Sequence, residues 1–315
     1  MVLSSPCRGR GGDRRGGFTL VELLISLTVG LVLVAASLSF AISTIRGTEG
    51  NKLREEVYRS ARFIGMSLQR DVQTAGVGIE SQISFGTLNM FADTLVILAV
   101  PWEPQLAAAY SIRPPFGINN PLDPGGTCGP LCIDLNKDSN GNFDLAPGDL
   151  ARLQVNAERR LLLVTGVRDM GTTFQISFLA DQTFLHYDAA FQGGLLLDRF
   201  MTTVQKLQPV IYFVEDSVLY RAQSFDVAGA LQASPMAYGV VDWDTWMVFE
   251  DLDVAPAANA TDADITNDFD DLIGTRITAT LATNRADLRV NEGGVFTRDY
   301  QWTIMPRNLM YERNR

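Results

Sequence analysis

The sequence predicts an α+β fold in which one long N-terminal helix, apolar on all sides and then amphipathic, packs on antiparallel β-sheet. Three observations predict it. An apolar run extends from Phe18 to Ile45 with Glu22 as its only charge. Leu53, Val57, Ala61, Ile64 and Leu68 then recur at spacings of three and four, the stripe by which a helix faces a core. After Gly76 the pattern changes to short segments rich in Val, Ile, Thr and aromatics, separated by Gly, Asn or Asp, which argues for antiparallel sheet over βαβ units.

The apolar run exceeds the ~20 residues a helix needs to cross a bilayer. Arg8, Arg10, Arg14 and Arg15 precede it against a single Asp13, which keeps the N-terminus in the cytoplasm and sends the remainder outward. A cleaved secretory signal would carry its small residues after the apolar core, whereas Gly16 and Gly17 come before it. Cleavage there would leave the helix attached. Glu22 is the anomaly, because an ionised carboxylate in hydrocarbon costs roughly 2.5–3.5 kcal/mol on insertion scales and calls for a partner.

The stretch Gly17-Phe18-Thr19-Leu20-Val21-Glu22 resembles the class III signal of type IV prepilins and type II secretion pseudopilins. The resemblance implies that a membrane prepilin peptidase cuts after Gly17 and methylates the amine of Phe18. Glu22, at the fifth mature position, lies about one helical turn from the amine of Phe18 and could face its own amine or that of a neighbouring subunit; the resemblance implies the neighbour, during assembly. The chain then divides into a leader (1–17), a transmembrane helix (18–46), the periplasmic half of the long helix (47–76) and a β-rich, pilin-like head (77–315). Gly47 and Gly50 mark either a bend or a solvated juncture at the membrane surface, and Gly76 is a natural helix stop.

Candidate strands are residues 93–100, 151–155, 160–167, 173–180, 209–216, 217–223, 245–254, 275–282 and 300–306. Among them "VIYFVEDSVLYR", "VFEDLDV" and "IGTRITATLA", with the helix end "ARFIGMSLQRDVQTAGVG" and the tail "TIMPRNLMYE", are similar in order and spacing to PilW-type minor pilins and the related GspJ pseudopilins.

The middle of the chain holds two further candidates. Cys128 and Cys132 would face an oxidising compartment, where a local disulfide competes with free thiols; Cys7 would leave with the leader. Asp134, Asn136, Asp138, Asn140 and Asp144 alternate around Gly141 and resemble an EF-hand calcium loop, although the closing glutamate is absent and Asp149 could replace it only in a longer loop. The competing reading is an Asx-rich turn that caps its own backbone. The acidic region from Glu250 to Asp271 has no regular ligand spacing and reads as a solvated loop. His186 is the only histidine, and two thiols without further ligands do not make a zinc site.

The net charge is −10, and −13 once the leader is removed. Such a chain is a poor nucleic-acid binder. No nucleophile elbow, phosphate loop or Cys–His pairing occurs locally, so the expectation is no enzyme and no required cofactor, with calcium as an accessory ligand. The working reading is a structural minor pilin incorporated in, or priming, a type IV pilus. Its expected partners are prepilin peptidase, other major and minor pilins, a tip adhesin and the inner membrane. It is expected as a single-pass inner-membrane protein before assembly and on the pilus or cell surface afterwards. The alternatives are a GspJ-like tip pseudopilin of a type II secretion system and a membrane-anchored adhesive or carbohydrate-binding head.

Overall fold

The computed structural model describes residues 19–79, 86–91, 93–101, 109–112, 119–121, 131–137, 142–155, 158–179, 196–198, 202–250, 254–255, 269, 271–286 and 294–309. The architecture is α+β, as expected: one long helix, α1 (Leu20–Val72), followed by antiparallel strands. Two compact units divide the chain, 1–52 and 53–315.

In the first unit α1 is apolar and exposed, and it is long enough to cross a membrane. Several of its hydroxyls are satisfied within the helix. Ser26 donates to the carbonyls of Glu22 (2.8 Å) and Leu23 (3.0 Å), Ser37 to Leu33 (2.8 Å) and Thr44 to Phe40 (2.9 Å). Back-bonding of this kind removes the cost of an orphaned hydroxyl in lipid. The helix is continuous through Gly47 and Gly50, so neither glycine melts it.

In the second unit the predicted stripe is the buried face from Val57 onward, while Leu53 is only half-buried and Val72 extends it. Val57, Ala61, Ile64, Leu68 and Val72 join one hydrophobic core. The helix ends at Val72, four residues before the expected stop, and turns carry the chain on to Gly78. Gly76 takes a φ of +76°, a left-handed conformation that favours glycine. A side chain there would also meet Leu309, whose Cδ2 lies 3.2 Å from the Cβ position.

The strands are β1 (Leu88–Phe91), β2 (Thr94–Ala99), β3 (Tyr110–Ser111), β4 (Asn119–Pro121), β5 (Cys132–Asn136), β6 (Leu150–Val155), β7 (Glu158–Asp169) and β8 (Thr173–Phe178). They continue as β9 (Leu196–Asp198), β10 (Thr202–Glu215), β11 (Val218–Phe225), β12 (Leu231–Tyr238), β13 (Val240–Phe249), β14 (Val254–Ala255), β15 (Leu272–Ala286) and β16 (Val295–Ile304). Each of the nine expected segments holds a strand. The larger sheet runs β1-β2-β10-β6-β7-β8-β5, with β11 and β3 also on β10 and β12 on β11; the smaller runs β14-β13-β15-β16. β4 and β9 pair with each other.

β10 joins the two halves of the large sheet. Residues 202–207 pair with β6, and residues 208–212 pair with β2. Side chains alternate between faces as a pleat requires. Leu95 and Ile97 of β2 pack in the core containing α1, whereas Val96 and Leu98 point to a second core with Leu161, Leu163 and Ile211. A third core gathers Tyr110, Ile133, Leu135, Leu153 and Ile176. The first also takes in Trp243, Met247 and Ile277 of the small sheet, so both sheets and the helix stripe are buried together.

Candidate functional site

At the start of α1, Thr19 and Glu22 bond reciprocally. The Glu22 amide donates to Thr19 Oγ1 (3.3 Å), and the Thr19 amide and hydroxyl both donate to Glu22 Oε2 (3.2 and 3.1 Å). This is a capping box, in which the residue before the helix and the third residue within it satisfy each other's orphan donors. Within its own chain, then, the carboxylate that looked anomalous in the apolar run closes the helix start, and one oxygen carries all of that bonding. Gly17 and Phe18 lie outside the described residues.

A second carboxylate sits where α1 ends. The stripe spacing carries on from Leu68 to Asp71 and Val72, so Asp71 is turned inward and is only 5% exposed. Its Oδ2 accepts from the Tyr212 hydroxyl (2.5 Å) of β10 and from Arg221 Nε (2.6 Å) of β11, and its Oδ1 accepts from Arg70 Nε (2.9 Å). Burial pushes the Asp71 carboxyl up, but the hydrogen bonds from Arg221, Tyr212 and Arg70 outweigh it and hold the group below the ordinary aspartate value. Burial, then Asp71 itself, pushes the Tyr212 phenol up, so it remains a protonated donor.

The network fastens the helix end to the β10–β11 hairpin, and the tail is fastened to the same end. Asn308 Nδ2 donates to the Ala75 carbonyl (3.3 Å). The turn of the hairpin places Asp216 and Ser217 at φ of 50° and 61°, the two left-handed residues of a type I′ turn, which matches the twist of paired strands. Tyr212 and Arg221 were not singled out in the sequence. Nor was Asp71, although a carboxylate at the next stripe position after Leu68 is the signal that could have found it; its partners lie far along the chain.

The candidate calcium residues are divided. Asp138 and Asn140 lie outside the described residues, as does Gly141. Asp134 and Asn136 are in strand β5, paired with β8, where Asp134 accepts from Gln175 (3.1 Å) and Asn136 donates to Ser111 Oγ (2.9 Å). Asp144 accepts the Tyr110 hydroxyl (2.7 Å). Asp149 pairs with Lys206 (2.8 Å). Phe143 stacks on Phe174 with centroids 4.2 Å apart. Among the described residues no group of three or more His, Cys, Asp and Glu is placed to hold a metal. Cys132 is buried and disulfide-bonded, while Cys128, Cys7 and His186 lie outside the described residues.

Residues 12–38 match the family model described as the prokaryotic N-terminal methylation motif. No curated protein and no solved structure matches this chain. The motif supports a type IV pilin or pseudopilin, which is a structural protein. It implies processing by prepilin peptidase and association with the membrane and with other pilins. The apolar helix near the N-terminus fits the single-pass inner-membrane anchor of a prepilin.

Proposed function

We propose that this chain is a structural minor pilin of the PilW type, incorporated in a type IV pilus or priming its assembly. The observation that carries the reading is the meeting, at the end of α1, of segments whose order first suggested it. Asp71 comes from the helix-end segment and Tyr212 and Arg221 from the hairpin "VIYFVEDSVLYR", while Asn308 comes from the tail. The chain enters the membrane with its N-terminus inside, loses residues 1–17, gains a methyl on Phe18 and moves to the cell surface with the filament. Its proposed partners there are major and minor pilins and a tip adhesin. A GspJ-like tip pseudopilin is the second reading, supported by the same segments, and an adhesive or carbohydrate-binding head is the third. A Cys128–Cys132 disulfide and calcium at Asp134, Asn136, Asp138, Asn140 and Asp144 complete the proposal as accessory features of the head.

Two measurements test it. Intact mass of the membrane-extracted protein is expected to begin at Phe18 with one added methyl; retention of Met1 would reject the prepilin reading. Deletion of the gene is expected to abolish surface pili while leaving protein secretion intact, and the opposite pattern assigns the chain to the secretion filament.

A further inference from the structure

Beside Asp71 the fold leaves a cavity of about 570 Å³, open to solvent. Ile97, Ala99, Val100, Pro101 and Val210 give it an apolar wall, and Arg70, Arg221, Gln208 and Gln223 give it a polar one. Two guanidiniums share one carboxylate here, so among the described residues the cluster carries a net positive charge within a chain of net charge −10. Both arginines spend Nε on Asp71, and Arg221 Nε also approaches the Tyr212 hydroxyl. Among the described residues neither terminal guanidinium makes a further hydrogen bond or ion pair.

We propose that this cavity binds a ligand with a carboxylate at the end of an apolar body. The Nη groups of Arg221 and Arg70 take the carboxylate, the pairing for which the planar arginine fork is suited. The hydrocarbon wall takes the body, and the amides of Gln208 and Gln223 can bond a carbonyl along it. A cation is disfavoured because both Asp71 oxygens already accept from positively charged donors. Asp71 has a second role here, since it fixes Arg221 before any ligand arrives and so lowers the ordering cost of binding. The inference does not depend on the pilin reading.

The test uses the full chain in detergent micelles, titrated calorimetrically with N-acetyl-leucyl-valine as the free acid, with its C-terminal amide and with hexanoate. The free acid is expected to saturate, with the amide weaker by about tenfold or more. Hexanoate binding as tightly as the peptide acid identifies a small organic acid as the natural class; weaker hexanoate binding identifies a chain terminus held also by the glutamines. Arg70→Gln, at a side chain 67% exposed, is expected to weaken the acid by a similar factor while the melting temperature holds. Ala99→Leu fills the cavity and is expected to abolish binding. Equal binding of acid and amide, no binding at millimolar acid, or full affinity in Arg70→Gln would overturn the proposal.

Discussion

The Tyr212 hydroxyl donates to Asp71 Oδ2 across 2.5 Å, joining residues 141 positions apart in the chain. Removing that donor leaves a buried carboxylate short of one partner. Tyr212→Phe is therefore expected to destabilise the head by about 1.5–3 kcal/mol, the range for hydrogen bonds to charged groups, read as a shift in the denaturation midpoint. A change under 0.5 kcal/mol would show that water replaces the phenol at no cost.

The same carboxylate predicts an acid dependence. Its folded pKa is below the ordinary value of 3.8, so its contribution to stability is complete above that value and is lost as pH falls through the folded pKa. Asp71→Asn is expected to be less stable than the wild type at pH 7. The gap is expected to narrow below about pH 4, where only the wild type gives up its charge pairing. Parallel stability–pH curves would rule out Asp71 as a source of acid sensitivity.

The turn between β10 and β11 uses two non-glycine residues in the left-handed region. Ser217→Gly relieves a conformation costing roughly 1–2 kcal/mol, offset by about 0.5–1 kcal/mol of added chain entropy. A net gain of about 0.5–1 kcal/mol in chemical unfolding is expected. Loss of stability would mean that the Ser217 side chain makes a contribution larger than its backbone strain.

At Glu22 the capping box separates two roles. Glutamine can still accept from Thr19 and keep the helix start, but it has no charge to offer a neighbouring N-terminal amine. Glu22→Ala and Glu22→Gln are both expected to insert and lose the leader normally, yet to crosslink poorly to partner prepilins. Wild-type crosslinking in both would leave Glu22 as a local cap alone, and wild-type crosslinking in the glutamine variant only would assign the assembly defect to the helix start.

Calcium binding at the Asp134–Asp144 stretch is tested by the calcium-dependent increment in melting temperature, since a ligand of the folded state stabilises it by mass action. The increment is expected in the wild type and absent in an Asp138→Ala, Asp144→Ala double variant. The variant's own baseline falls because Asp144 also holds the Tyr110 hydroxyl, so the increment is the quantity to compare. No increment at millimolar calcium would leave Asp134, Asn136 and Asp144 to their hydrogen bonds with Gln175, Ser111 and Tyr110.

Most of the fold was legible because periodicity is local. Ile64 and Leu68 announce a buried helix face, and "DTLVILAV" and "RLLLVTGV" announce strands, without reference to any other part of the chain. β12 was missed because "LQASPMAY" lies at a sheet edge, mostly exposed, and carries a proline. β5 was missed because Asp134 and Asn136 drew the reading toward a loop, although alternate polar residues also suit one face of a strand. The Asp71 network was half legible: the buried charge shows in the stripe, but which tyrosine and arginine meet it is decided by β10 and β11 pairing in register, with Tyr212 opposite Arg221.

That pairing also sets how the head carries load. Within the head, an axial pull on α1 passes into β10 and β11 through the Asp71 contacts and the core around Leu68. β10 then shares it with β6 and β3 along residues 202–207 and with β2 and β11 along residues 208–215. Tension entering through these contacts is thus spread over many backbone hydrogen bonds at once, and the strand behaves as the tendon of the head.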